Sequence, residues 1–189
     1  GEVWPIKARK LTKKTCEYFG YFIAKHKGAP VQVAPYYWDG KLVAQHLRFA
    51  DKSMPWLGDT SKIELFGQQL WKSKGNKVVV TEGEIDCMSI AQALNYKWPV
   101  VSVPLGAQGA AKAVKMNLEW LNSFSEIILA FDNDEAGKAA AQEVGAILEP
   151  GKVKLFAYPE NFKDANQMLQ AGEAGRIANG VFQSRAYRP

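Results

Sequence analysis

The chain has 189 residues, 47% of them hydrophobic and 23% charged, with a net charge of +5. That length suits one large domain or two small ones, and the apolar share supports a real core, which excludes a disordered chain. Two cysteines without a CxxC pair, no apolar run near the roughly 20 residues of a membrane span and no charged-then-apolar leader set the expectation of a soluble cytoplasmic protein, without disulfides and without a membrane partner.

The charge is uneven. Residues 1–77 hold 14 Lys/Arg against 6 Asp/Glu, whereas residues 78–189 hold 10 against 13. A basic first part beside an acidic second part suits a phosphate-attracting surface next to a cation-holding site, although solvated lysines would leave the same imbalance.

In chain order, "LTKKTCEYFGYFIA" reads as a short helix that turns into a strand. "APVQVAPYYWDGKLVAQHLRFA" (29–50) reads as two strands around a turn at Asp39-Gly40, a strong hairpin signal. Residues 51–76 are irregular and rich in Lys, Gly and Ser, so 1–76 forms a small basic α+β subdomain. From residue 77 the pattern alternates. The strands are 77–81 ("KVVVT"), 98–103, 125–131 and 151–158. Between them lie helices over 84–96, 109–124 and 135–149, and a last helical stretch covers 164–172. Strands alternating with helices predict an α/β fold with a parallel sheet flanked by helices over 77–172. The remaining stretch, 173–189, is read as a C-terminal tail; over 175–189 it has little periodicity and two late arginines, which fits a mobile end or one cut from a longer protein.

Ligands of open α/β sheets collect at the carboxyl ends of the strands. Two acidic clusters fall there. Glu82 follows the first strand, with Glu84 and Asp86 close behind, and "FDNDEAG" (131–137) places Asp132, Asp134 and Glu135 after the third. Either cluster alone fits a helix cap. Both at the ends of strands of one sheet fit a hard divalent cation, Mg²⁺ or Mn²⁺, which carboxylates bind in concert with water and phosphate.

"VVVTEGEID" and "FDNDEAG", with "PLGAQGAA" between them, resemble the TOPRIM domain shared by DnaG-type primases, type IA and II topoisomerases and some nucleases. The first part selects among these. "LTKKTCEYFGYFIA", "GKLVAQHLRFADK", "MPWLGDTSKIELFGQQLW" and "KDANQML" (163–169) resemble the primase half of bifunctional phage primase–helicases and their Twinkle-like relatives. The resemblance implies DNA-templated synthesis of short RNA primers, a metal-dependent nucleotidyl transfer. It implies Glu82, Asp132 and Asp134 as catalytic residues and metal ligands, with Asp164 as a further ligand and Glu84 and Asp86 as second-tier acids at the same rim. Arg48, Lys52 and the weaker candidate Lys112 would hold NTP or template phosphates. The implied partners are a single-stranded DNA template, ribonucleoside triphosphates, and a zinc-binding module and hexameric helicase in the full-length protein. Its setting would be a phage replisome in the host cytoplasm, or a mitochondrion if Twinkle-like. A DNA-binding module without activity, and a TOPRIM nuclease, are the alternatives. Two departures stand out: Pro55 sits about where such primases often carry a lysine, and neither a Cys-rich zinc site nor a GxxxxGK[ST] loop occurs. His26 and His46 are expected to be structural or surface residues. Trp71 is expected in the core, whereas Trp38 and Trp56 are candidates for stacking on bases. Gly106 and Gly109 are read either as a close backbone approach or as turn glycines.

Overall fold

A computed structural model describes residues 1–189 as two sheets built on one shared core. The first is a four-stranded antiparallel sheet in the order β1-β2-β3-β4, from β1 (Phe22–His26), β2 (Ala29–Trp38), β3 (Lys41–Phe49) and β4 (Trp56–Gly58). It is preceded by helix α1 (Lys13–Phe19). The Thr12 hydroxyl accepts the Thr15 N–H at 3.2 Å to start that helix, and Gly20, at φ 67, ends it. The Asp39-Gly40 turn has positive φ at both residues, the twist that two-residue hairpins need. Alternation along β2 puts Ala34 and Tyr36 in the shared core and Val31 and Val33 against Leu47 on the other face, and a bulge follows at Tyr36/Tyr37.

The second sheet runs β6-β5-β7-β8-β9. Its strands are β5 (Gly75–Thr81), β6 (Val100–Ser102), β7 (Phe124–Ala130), β8 (Val153–Leu155) and β9 (Arg185–Ala186). The first four pair in parallel, and β9 adds an antiparallel edge. "VVV" is continuous because both faces are covered. Val79 and Ile128 face the core shared with the first sheet and α2 (Glu84–Ala93). Val78, Val80, Ile127 and Leu129 face the core under α3 (Gly106–Met116) and α5 (Glu135–Ile147).

Two expectations are corrected. The single helix over 109–124 is broken into α3 and α4 (Leu118–Asn122). Buried Asn117 causes the break: its amide donates to the Ile63 carbonyl at 3.2 Å and the Ala113 carbonyl at 3.0 Å, tying the joint to the preceding loop. The tail, too, carries regular structure where the sequence has little periodicity. After α6 (Ala165–Gln170) it forms α7 (Ala174–Phe182), which buries Ile177 and Val181, and then β9, so the sheet is not purely parallel. No helix is long and apolar enough to cross a membrane.

Candidate functional site

The carboxylates converge because β5 and β7 are neighbours, with Thr81 paired to Ala130. One residue beyond β5, Glu82 accepts the backbone N–H of Asp132 at 3.2 Å, which fastens the two strand ends together. Asp86 lies in the first turn of α2 and accepts the N–H of Asn166 at 3.0 Å. Asp164 caps α6, accepting the Gln167 N–H at 2.9 Å. Its loop is held by Asn133, whose N–H donates to the Lys163 carbonyl at 2.6 Å and whose amide donates to the Phe162 carbonyl at 3.0 Å. Below, the Tyr158 hydroxyl donates to the Ala130 carbonyl at 3.0 Å.

Asp86, Asp132 and Asp164 can each offer one oxygen to a group whose members lie within 4.8 Å of one another. Burial, followed by the charges of Glu82, Asp164 and Asp134, pushes the Asp132 carboxyl up to about 7. Burial, then Asp164 and Asp132, pushes Asp86 well up, and burial raises Glu82. Asp132 Oδ1 is buried and has no hydrogen-bond partner. Folded proteins rarely leave such an atom orphaned, and three clustered carboxyls with a free buried lone pair form the oxygen-rich donor set of a hard divalent cation. The residues therefore fit a divalent metal ion.

The geometry redistributes the expected residues. Asp86, expected in a second tier, stands in the tight group with Asp132 and Asp164, while Glu82 lies alongside. Asp134 is at the same rim, but one of its oxygens accepts the Gly137 N–H at 2.7 Å as the cap of α5, and the other is 3.8 Å from Lys163 Nζ. Glu84 lines the same cleft as Glu82 but is itself buried. It points into the core shared by the two sheets, takes a 2.9 Å hydrogen bond from the Tyr36 hydroxyl and pairs with His46 Nδ1. Burial alone would raise its carboxyl, but the His46 contact, its own backbone N–H and Tyr36 outweigh burial and hold it below the ordinary value.

Arg48 joins the rim. It lines a cleft with His46, Trp56, Glu82 and Gly106, and a second, of about 380 Å³, with Arg9, Gln32 and Lys52. Lys112 is exposed on α3, outside both clefts. His46 is buried and stacks on Trp56 with ring centres 4.2 Å apart and planes 7° apart. Trp56 is half-buried and opens on the cleft with Arg48 and Glu82; Trp38 lines a different one, with Lys74 and Trp120. Trp71 is only half-buried, because it borders a lysine-lined cleft rather than the core. The Pro55 carbonyl accepts the Leu47 N–H at 2.9 Å and carries the chain into β4.

Gly106, at φ 67, opens α3 with open space around its absent Cβ, and Gly109 makes room for Leu105. The close approach lies at Gly137, where a Cβ would stand 2.0 Å from the Asp132 carbonyl oxygen. Sequence reasoning missed this glycine, and the signal was its place three residues after the capping Asp134. Asn166 was missed too. Its side chain donates to the Arg9 carbonyl and to Ser89 Oγ, each at 2.9 Å, locking the Asp164 loop to α2 and to the N-terminal segment.

Comparison with known proteins gives the family of the fold that carries these residues. The family described as "Bacteriophage T7 DNA helicase/primase, N-terminal a+b fold" matches residues 1–58, and the Toprim-like family matches residues 79–169. The DNA helicase/primase of Enterobacteria phage T3 is 38% identical over the whole of this chain, which spans 33% of that relative's length. The crystal structure of the primase fragment of the bacteriophage T7 primase-helicase superposes with a TM-score of 0.89 at 40% identity, over 95% of this chain and 74% of that one. Primase domains of the T7 protein, bound to an RNA/DNA hybrid and dTTP beside the lagging-strand DNA polymerase, superpose at 0.92 with 39% identity, over 98% of this chain and 94% of that one. Over nearly its whole length, therefore, the chain belongs to the Toprim primase family of T7-like bacteriophage helicase–primases.

Proposed function

We propose that this chain is the RNA polymerase core of a primase and synthesises short RNA primers on a single-stranded DNA template. The observation that carries the reading is the unpartnered buried oxygen of Asp132 inside the Asp86–Asp132–Asp164 group, at the carboxyl end of a parallel sheet. The T7 primase domains described with an RNA/DNA hybrid support the same kind of nucleic-acid product here.

Asp86, Asp132 and Asp164 would hold the divalent ion, with Glu82 and Asp134 beside them. Bound there, the ion would supply Lewis acidity to the phosphates and the attacking hydroxyl. Arg48, Lys52 and Arg9 attract the triphosphate and the template backbone, since their clefts join the acidic rim to the basic sheet. Glu82, with its raised carboxyl, is the candidate acceptor for the 3′-hydroxyl proton. Lys163 offsets the crowded negative charge next to Asp134. A zinc-binding module and a hexameric helicase would complete the full-length protein and supply template recognition and movement along DNA.

The deciding measurement incubates the chain with a single-stranded template, Mg²⁺ or Mn²⁺, labelled ribonucleotides and a preformed dinucleotide. Products longer than the dinucleotide, absent in Asp132→Asn and in EDTA, are expected. A wild-type chain that binds the template yet never extends the dinucleotide would overturn the polymerase reading and leave the DNA-binding and nuclease alternatives, which cleavage of the template separates.

A further inference from the structure

The end of the second sheet away from the carboxylates carries its own concentration of positive charge. β5 runs for seven residues between the two ends, which places them about 20 Å apart. Lys72, Lys74 and Lys77 flank the start of β5, and Lys97 precedes β6. With Trp71 and Trp98 they line a cleft of about 480 Å³ that no acidic residue borders. Glu126, on the neighbouring strand, takes Lys77 and Lys154, each at 2.9 Å. Lys72, Lys74 and Lys97 have no ion-pair partner and are exposed.

Aromatic rings interleave with these charges. Trp98 and Phe182 meet edge to face with centres 5.8 Å apart, and Phe182 is 53% exposed. The Lys77 ammonium lies 5.6 Å from the Trp98 ring centre and 5.7 Å from that of Phe182.

We propose that this cleft is a second binding surface for single-stranded nucleic acid, separate from the carboxylate rim. Cations that track phosphates and rings that stack on bases are the two components of sequence-tolerant single-strand binding. Protein interfaces share the aromatic enrichment but are depleted in lysine, so four lysines around the rings favour a strand over a protein partner. The surface lies at the opposite end of the sheet from the catalytic group, so it would hold a strand that extends beyond the template segment being copied. It does not rest on the catalytic reading, because it predicts binding without nucleotide or metal.

The test is fluorescence anisotropy of a labelled oligothymidylate of about 20 nucleotides, longer than one binding site, with the full chain in EDTA across a salt series. The charge-reversal variant K72E/K74E/K97E changes only exposed side chains. We expect its affinity to fall at least about tenfold and its log–log salt slope to shrink by about 2, the loss of three single-strand phosphate contacts. Phe182→Ala should weaken binding several-fold with the salt slope unchanged, as the loss of a stacking ring requires. Affinity and slope both equal to wild type in the triple variant would overturn the proposal and leave the patch to an acidic protein partner.

Discussion

Asp132→Asn separates a metal site from a structural cluster, because the two make opposite predictions for stability. In the unliganded protein the Asp132 carboxyl is raised from the ordinary 3.8 to about 7, by burial and then by its acidic neighbours. A carboxyl raised in the folded state binds its proton more tightly there than in the unfolded chain. Stability therefore falls as pH climbs from about 4 to about 7, then levels off. The full shift corresponds to roughly 4 kcal/mol at about 1.4 kcal/mol per tenfold. The side chain is partly open to solvent and shares its protons with Asp86 and Asp164, so about half of that, ~2 kcal/mol, is the expected effect. Asparagine keeps the shape and removes the charge. In EDTA at pH 7.5 the variant should be more stable than wild type by ~2 kcal/mol, or about 4–8 °C in Tm for a chain of this size. The excess should vanish near pH 4. Millimolar Mg²⁺ or Mn²⁺ should raise the wild-type Tm and leave that of the variant unmoved. Urea melts across this pH range, with and without metal, give the answer. A variant less stable than wild type in EDTA at pH 7.5, or equally stabilised by metal, would refute the reasoning.

Gly137→Ala would drive a Cβ to 2.0 Å from the Asp132 carbonyl, so a loss of at least about 2–3 kcal/mol is expected, together with loss of primer extension; a wild-type melt would show that the loop can yield. His46→Ala strips the buried Glu84 carboxylate of its partner and should cost about 3 kcal/mol at neutral pH, much of it recovered when Glu84→Gln is added. Because Glu84 is held below the ordinary 4.5, its contribution is present above that pH and lost as pH falls through the folded value. The gap between wild type and His46→Ala should therefore close in acid, and a gap independent of pH would count against the pair. Extension of a preformed dinucleotide should clearly exceed de novo initiation in this chain on its own. Initiation must hold two free nucleotides at once, and a zinc module added in trans should narrow the difference. A gel showing equal yields from both starts would contradict this.

The local code was legible along most of the chain. Asp39-Gly40 announced its hairpin because only a few residue types accept positive φ at both positions, and "KVVVT" announced a strand covered on both faces. The placing of acids at strand ends made Glu82 and Asp132 visible as partners fifty residues apart, and β5 beside β7 is the topology that joins them. Neither α7 nor the split at Asn117 was read. α7 carries Ile177 and Val181 four apart but is short, and Asn117 breaks its helix through a bond to Ile63, fifty-four residues away. The direction in which each acid points was beyond periodicity altogether. Glu82, Glu84 and Asp86 alternate identically on paper. The turn at Gly83 from strand into helix sends Glu84 inward to Tyr36 and His46, and swings Asp86 to the Asp164 loop. Which carboxylates share an ion is a question of ångströms between separate segments. Here the docking of the Asp164 loop through Asn133 and Asn166 sets which carboxylates come close, since those hydrogen bonds hold Asp164 against Asp132, just beyond β7, and Asp86, in the first turn of α2.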